Sequence, residues 1–269
     1  MTDPFLRWPG GKRRLLGELR QHMPETYKGY FEPFIGGGAL FLAERPDYGY
    51  IGDANPELAN VYNVVKHKPT QLIAELALHR NTAKDYYKVR QADRDADFTG
   101  WSDVRRAARF VFLNRTCFNG LCRMNAKGQL NMAYGRLKNP DITQARAIWA
   151  AHATLRRVRI AHASFDEVLK LARPGDFVYF DPPYVPLSPT ANFTDYAAGG
   201  FGADKHRELW QLCVKLHRRG IKWMVSNSRT PQVLDLWRAF TTHEIDARRT
   251  IAAGPKGRGR VKEVLVTNY

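Results

Sequence analysis

The chain is predicted to fold as an α/β protein with a largely parallel sheet. Short apolar runs typical of buried strands alternate with segments of helical periodicity, a pattern that favours a parallel sheet with helices on both faces. The last two strand candidates are too close together for a long helix and predict a hairpin that adds one antiparallel strand. Predicted strands cover residues 29–32, 48–53, 157–161, 177–181, 222–226, 242–245 and 263–267, and predicted helices cover 12–22, 56–66, 102–113, 204–219 and 231–240.

The first segment, residues 5–12 (FLRWPGGK), leads through a Gly-Gly-Lys turn into the first predicted helix. A turn of this kind is suited to hold a carboxylate or a phosphate. The chain lacks the G-x-x-x-x-G-K-[ST] spacing of a phosphate-binding loop, which argues against a nucleoside triphosphatase.

A glycine-rich turn, residues 34–41 (FIGGGALF), follows the first strand and opens a helix. Gly36 and Gly38 permit close approach of a ligand to the backbone, and Asp53, at the end of the next strand, is well placed for ribose hydroxyls. The pattern suits a nucleoside-containing ligand, although tight packing between strand and helix explains the glycines equally well. Phe41 stands where the dinucleotide fingerprint requires its third glycine, so a dinucleotide-dependent oxidoreductase is a poor interpretation.

The interval 69–144 interrupts the alternation of strands and helices. It contains the predicted helix 102–113, the segment 114–123 (NRTCFNGLCR) and a predicted hairpin around residues 126–128. Arginine, asparagine and wedge-like aromatic residues are the types that read and distort DNA. We interpret 69–144 as an inserted helical subdomain with a β-hairpin that is suited to recognise DNA, and residues 1–68 and 145–269 as the domain that contains the sheet. A surface insertion with a basic, solvated face is the alternative.

The most informative segment is residues 181–184 (DPPY), which ends the apolar run 176–180 (DFVYF). Ligands bind at the carboxyl ends of strands in open α/β sheets. Asp181 provides a carboxylate acceptor, Pro182 a backbone carbonyl and Tyr184 an aromatic face. These groups suit the two hydrogens of an exocyclic amine on a stacked planar base. A proline-rich turn capped by Asp181 is the alternative interpretation.

The chain is strongly basic, with 42 Lys and Arg against 26 Asp and Glu, a formal net charge of +16 and a pI near 9.9. Such charge is typical of proteins with a polyanionic partner. Three cysteines without a CxxC pair or a histidine cluster argue against a disulfide framework and a zinc site. No apolar run of about 18 residues and no signal core are present, so we expect a cytoplasmic protein without a membrane segment.

These clusters, in this order, resemble the Dam-type DNA adenine-N6 methyltransferases of the D12 class. The resemblance spans nearly the whole chain. Its motifs are residues 6–12 (LRWPGGK), 32–38 (EPFIGGG), 114–115 (NR), 119–123 (NGLCR), 181–184 (DPPY), 186–188 (PLS) and 191–194 (ANFT). It implies a Rossmann-like methyltransferase sheet, S-adenosylmethionine as methyl donor without a metal, and duplex DNA as substrate. It also implies an enzyme that is encoded by bacteria or phages, is associated with the nucleoid and methylates adenine within GATC. The sequence leaves the oligomeric state open, and we expect a monomer that acts on one strand at a time.

The resemblance assigns roles to individual residues. Asp181, Pro182 and Tyr184 match the catalytic positions, where the carboxylate and the proline carbonyl would accept the amino hydrogens of an adenine flipped out of the duplex. The implied donor-binding residues are Trp8, Lys12, Phe34, Gly36, Gly38, Asp53, Phe165 and Asp181. The implied DNA-binding residues are Arg7, Arg115, Phe118, Asn119, Leu121, Arg123 and Arg136, with Phe118 able to fill the vacated stack. We also expect phosphate contacts from a basic segment near the C-terminus, residues 248–262.

Three positions depart from the familiar pattern. Arg7 stands where lysine is familiar, Pro9 where alanine is, and Ala133, in the hairpin, where proline is. Because the hairpin reads bases, these departures weaken the expectation of GATC and leave the chemistry untouched. Two rivals stay open: a cytosine-N4 methyltransferase, in which serine more often occupies the position of Asp181, and a DNA-binding protein with an inactive methyltransferase fold.

Overall fold

The structure is a computed structural model that describes residues 4–120, 124–125, 128–187, 200–248 and 260–269. Its strands are β1 (Tyr30–Glu32), β2 (Gly49–Asp53), β3 (Val158–His162), β4 (Phe177–Phe180), β5 (Lys222–Ser228), β6 (Thr241–Arg248) and β7 (Arg260–Thr267). They form one sheet in the order β3-β2-β1-β4-β5-β7-β6.

The sheet is mostly parallel, as predicted. Strand β1 pairs in parallel with β2 and β4, and β4 pairs in parallel with β5. Strand β7 is antiparallel to both β5 and β6, so the predicted hairpin exists and its second strand is inserted between β5 and β6. The apolar run of β4 is wholly buried, which explains why this segment has no alternation of polar and apolar residues.

The predicted helices 56–66, 102–113 and 204–219 are confirmed to within three residues at each end. The predicted helix 12–22 begins with a 3-10 segment, and the predicted helix 231–240 ends four residues early, at Leu236. Asn55 caps the third helix by accepting hydrogen bonds from the amides of Glu57 and Leu58, and Pro56 occupies the first helical position. No helix within the described ranges is long and apolar enough to cross a membrane. The α-helices are α1 (Leu16–Gln21), α2 (Ala39–Glu44), α3 (Pro56–His67), α4 (Pro69–Ala77), α5 (Ala83–Gln91), α6 (Asp103–Thr116), α7 (Ala145–Leu155), α8 (Val168–Leu171), α9 (Ala203–Arg218) and α10 (Pro231–Leu236).

The chain divides into two compact units. The first comprises Met1–Gly11, Gly36–Arg45 and Asn55–His162, and its core includes the apolar faces of α3 and α6. The second comprises Lys12–Ile35, Pro46–Ala54 and Ala163–Tyr269, and its core includes β4, β5 and β7.

A buried ion cluster organises the first unit. Arg109, on α6, is 1% exposed and its guanidinium lies 2.8 Å from a carboxylate oxygen of Asp93. Asp93 also accepts a hydrogen bond from the amide of Leu130 at 2.8 Å, and Arg94 donates to the carbonyl of Leu130 at 2.9 Å. The cluster therefore fixes the backbone of the segment that forms an antiparallel bridge between Leu130 and Met124. Residues 126 and 127 of the predicted hairpin lie outside the described residues.

Replacement of Asp93 by alanine is expected to lower the free energy of unfolding by about 3–5 kcal/mol, because Arg109 would keep a buried charge without its carboxylate. Urea denaturation followed by circular dichroism measures the change. The matched control is Asp97→Ala, at an exposed position four residues on, with an expected change within about 0.5 kcal/mol. Equal stability of the two variants would contradict the role given to the cluster.

Candidate functional site

The carboxylate of Asp181 forms a partly buried ion pair at the end of β4. The ammonium nitrogen of Lys12 lies 2.7 Å from Oδ1 and 2.8 Å from Oδ2 of Asp181. Their side chains are 7% and 20% exposed, respectively. Lys12 opens a short 3-10 helix, Lys12–Leu15, directly after the Gly-Gly turn. The turn that the sequence suggested as an anion holder therefore delivers a cation to the strand-end carboxylate.

The ionisation of Asp181 reflects two opposing influences. Burial raises the pKa of the Asp181 carboxyl, and the charge and hydrogen bond of Lys12 lower it, assisted by the nearby hydroxyl of Tyr184. The net effect is a pKa above the usual value for aspartate. Lys12 thus offsets part of the cost of burying the charge of this carboxylate.

Tyr184 is fixed beside this pair. The Lys12 ammonium lies over its ring, 4.8 Å from the centroid, and its hydroxyl donates a hydrogen bond to Glu263 Oε2 at 2.9 Å. Burial, and next the charge of Asp181, raise the pKa of the Tyr184 phenol well above its usual value, so the hydroxyl stays protonated.

The end of β5 holds the backbone that follows Tyr184. The amide of Val185 donates to Asn227 Oδ1 at 3.1 Å, and Ser228 Oγ donates to the carbonyl of Val185 at 2.5 Å. Asn227 is fully buried. We call residues 181–185 the strand-end turn. Its carboxylate, its proline carbonyl and its tyrosine ring are thus presented on a rigid frame.

Aromatic side chains form a cluster in the same unit. Phe34 and Phe165 stack with ring centroids 5.4 Å apart and an interplanar angle of 22°. Phe201 contacts both rings edge-on, at 5.6 Å and 5.9 Å. Asp53 ends β2, and its carbonyl accepts a hydrogen bond from the amide of Ala163, two residues before Phe165. Flat apolar faces suit the base of a nucleoside, and a carboxylate at the end of β2 suits its sugar hydroxyls.

The glycine turn packs against Trp8 in the first unit. Gly36 and Gly38 have φ angles of +47° and +66°, and a Cβ atom at Gly36 would lie 2.7 Å from the Trp8 ring. The hydroxyl of Tyr62 donates to the Gly36 carbonyl at 2.9 Å. Trp8 also stacks near Phe110, with centroids 6.4 Å apart. These glycines are therefore required for local packing, whatever else the turn binds.

Arg7 is held by two hydrogen bonds to one side chain. Its amide donates to Asn114 Oδ1 at 2.8 Å, and Asn114 Nδ2 donates to its carbonyl at 2.6 Å. Its side chain packs on Gly120, where a Cβ would lie 2.7 Å from Arg7 Cβ. Burial, and next the charge of Arg7, lower the pKa of the Arg115 guanidinium. Arg7 and Arg115 therefore lie near one another as a basic pair, and the carboxylate of Asp141 opposes the effect of Arg7 on Arg115.

The other predicted DNA-binding residues are exposed where the structure describes them. Phe118 is 56% exposed, and Asn119 adopts a left-handed conformation with φ +56°. Arg136 is also exposed and has φ +51°. Leu121, Arg123 and residues 249–259 of the basic segment lie outside the described residues.

Sequence reasoning missed two residues of this arrangement. Glu263 is the hydrogen-bond partner of Tyr184, and Phe201 completes the aromatic cluster. Glu263 directly precedes the apolar run 264–266, and a carboxylate at the start of a predicted strand was the signal that could have identified it. In the described part of the chain, no group of three or more His, Cys, Asp or Glu side chains is arranged so that it could hold a metal ion.

Comparisons with known proteins indicate the same family over nearly the full chain. The family model described as D12 class N6 adenine-specific DNA methyltransferase matches residues 8–251. The Type II methyltransferase M1.LlaDCHI of Lactococcus lactis subsp. cremoris is 44% identical, over 99% of this chain and 95% of that protein. The Type II methyltransferase M.MjaIII of Methanocaldococcus jannaschii is 37% identical, over 100% of this chain and 99% of that protein. A DNA adenine methylase of Escherichia coli (strain K12) is 33% identical, over 97% of this chain and 93% of that protein.

Replacement of Lys12 by methionine is expected to raise the pKa of Asp181 further, because burial would then act without the opposing charge. Carbon-13 NMR titration of the aspartate carboxyls, assigned with Asp181→Asn, measures this pKa directly. Lys205→Met, which removes an exposed lysine paired with Glu208 on α9, should leave it unchanged. An unchanged or lower pKa of Asp181 in Lys12→Met would contradict the electrostatic account.

Proposed function

Since this chain belongs to the D12 class of N6 adenine-specific DNA methyltransferases, we propose that it methylates N6 of an adenine extruded from duplex DNA, within GATC, with S-adenosylmethionine as donor. The observation that carries the proposal is the strand-end turn, with its Lys12-paired carboxylate and Glu263-bound tyrosine. We further propose that the protein acts as a monomer.

The strand-end turn is suited to activate an aromatic amine. The lone pair of adenine N6 is delocalised into the ring, which makes the nitrogen a poor nucleophile. The Asp181 carboxylate and the Pro182 carbonyl accept the two amino hydrogens, which draws the nitrogen toward tetrahedral geometry and localises its lone pair. The ring of Tyr184 stacks on the base. Because these groups are held in place before the base arrives, their contribution is positioning and electrostatic stabilisation.

The second unit offers groups that fit the methyl donor. Phe34 and Phe165 provide apolar faces for its adenine, Asp53 a carboxylate for its ribose hydroxyls, and Asp181 a negative charge for a cationic centre. Lys12 provides a cation for the donor's carboxylate. S-adenosylmethionine, when bound, supplies an electrophilic methyl group on a sulfonium. Trp8, Gly36 and Gly38 are retained as donor contacts on the strength of the resemblance.

We assign target recognition to residues 69–144 together with Arg7. The exposed Phe118 and Asn119 and the basic pair Arg7 and Arg115 support this assignment, since such groups contact bases and phosphates. The net charge of +16 favours binding to a polyanion. On the resemblance alone, Arg136, Leu121 and Arg123 contribute to the same surface, and residues 248–262 contact phosphates.

GATC rests on the resemblance, and Arg7, Pro9 and Ala133 depart from its familiar pattern. Two relatives are Type II methyltransferases and others are DNA adenine methylases, so a partner restriction enzyme and a role in replication or repair are both compatible with the family.

Two analyses of DNA from cells that express this protein test the function. Mass spectrometry of the nucleosides should detect N6-methyladenine, and single-molecule sequencing should place the mark within GATC. N4-methylcytosine, or no modified base, would refute the reaction. N6-methyladenine in another motif would refute only the specificity.

Asp181→Ala is expected to abolish methyl transfer while donor binding and DNA binding partly survive, because the carboxylate acts directly on the amino group. Transfer of a labelled methyl group and equilibrium binding of each ligand separate the two effects. Asp204→Ala, which removes an exposed carboxylate paired with Arg207, serves as the control. Undiminished turnover of Asp181→Ala would refute the catalytic assignment.

Phe118→Ala is expected to lower kcat/KM on fully paired duplex by about tenfold. Alanine would not fill the gap that the extruded adenine leaves in the base stack, so extrusion would cost more free energy. With an abasic site opposite the target adenine, the variant should approach the wild type. Trp149→Ala tests another exposed aromatic residue, 47% exposed on α7. Equal losses of Phe118→Ala on both substrates would argue against a role in base extrusion.

A further inference from the structure

We propose that Glu263 is a positioning residue that orients the ring of Tyr184 for stacking on the target base, an inference that rests on the function proposed above. Glu263 belongs to none of the sequence motifs, and it lies 79 residues after Tyr184 in the chain. Its carboxylate nevertheless accepts the hydrogen bond from the Tyr184 hydroxyl at 2.9 Å.

The ring of Tyr184 is held from two directions. At the far end, the hydroxyl is bound to Glu263, and on one face the Lys12 ammonium lies 4.8 Å from the ring centroid. A base that stacks on this ring would take the opposite face. Next to the ring, hydrogen bonds from Val185 to Asn227 and from Ser228 to Val185 fix the backbone. With the backbone fixed, the position of the hydroxyl determines the side-chain rotamer, and Glu263 determines the position of the hydroxyl.

The reversed direction of β7 explains how Glu263 reaches this place. Parallel strands β4 and β5 bring their carboxyl ends to one edge of the sheet, where the strand-end turn lies. Because β7 is antiparallel to β5, it brings its first half to that edge, with Glu263 opposite Ser228 and Val264 opposite Asn227. The single antiparallel strand thereby supplies a side chain to the strand-end turn.

The charges around Tyr184 favour this hydrogen bond. Burial, Asp181 and Glu263 raise the pKa of the phenol, so it remains a donor, and an ionised acceptor makes the bond stronger than a neutral one. The Lys12 ammonium lies near both the ring and Asp181 and balances the negative charge of that carboxylate. Loss of the Glu263 carboxylate would remove the acceptor on β7, and Asp181 would be the remaining acceptor near the Tyr184 hydroxyl.

Steady-state kinetics on duplex DNA with the motif found by sequencing test the proposal. Glu263→Ala should lower kcat/KM for DNA by about tenfold, the expected effect of losing one charge-assisted hydrogen bond, with KM for S-adenosylmethionine unchanged. Glu263→Gln keeps an acceptor oxygen and should recover activity to within about threefold of wild type. The control is Glu244→Gln, on the neighbouring strand β6, which alters an exposed ion pair with Arg229.

Tyr184→Phe removes the same hydrogen bond without altering β7, so it tests the proposal even if a Glu263 variant is unstable. The losses of Tyr184→Phe and Glu263→Ala should be equal, and the double variant should be no slower than either single variant. Fluorescence of 2-aminopurine at the target position should report less stacking in all three. Wild-type activity of Glu263→Ala, or losses that multiply, would overturn the inference. Absence of N6-methyladenine from the wild-type reaction would instead overturn the proposed function.

Discussion

The ion pair between Lys12 and Asp181 is the interaction on which the functional arrangement depends. A carboxylate that is 20% exposed loses much of its hydration, which costs free energy. The ammonium of Lys12 at 2.7 Å compensates part of that cost. The two residues are 169 positions apart, so the pair also ties the first turn of the chain to the end of β4. A carboxylate held in place by Lys12 can accept a hydrogen bond without reorganising, which is the property that amine activation requires.

The sheet gathers the remaining groups at one edge. Phe34 follows β1, Asp53 ends β2, Asp181 follows β4 and Asn227 lies near the end of β5, because parallel strands present their carboxyl ends together. Glu263 joins them from β7, because an antiparallel strand presents its beginning there. The combination of parallel and antiparallel strands therefore determines which side chains meet at the strand-end turn.

Much of this architecture is predictable from local sequence. The run before Asp181 is apolar because β4 is buried on both faces, and Asn55 and Pro56 mark a helix start by ordinary capping. The placement of β7 between β5 and β6 was not predictable, since a hairpin pattern does not specify which of its strands pairs with the rest of the sheet. The bond from Tyr184 to Glu263 depends on that placement and has no signal in the spacing of either residue.

The central claim is that Asp181 and the Pro182 carbonyl accept the hydrogens of the target amine. A crystal structure with S-adenosylhomocysteine and duplex DNA tests it most directly. The account predicts that a carboxylate oxygen of Asp181 and the carbonyl oxygen of Pro182 both lie roughly 2.7–3.2 Å from adenine N6. An adenine still stacked in the duplex, or an Asp181 carboxylate turned away from N6, would contradict it.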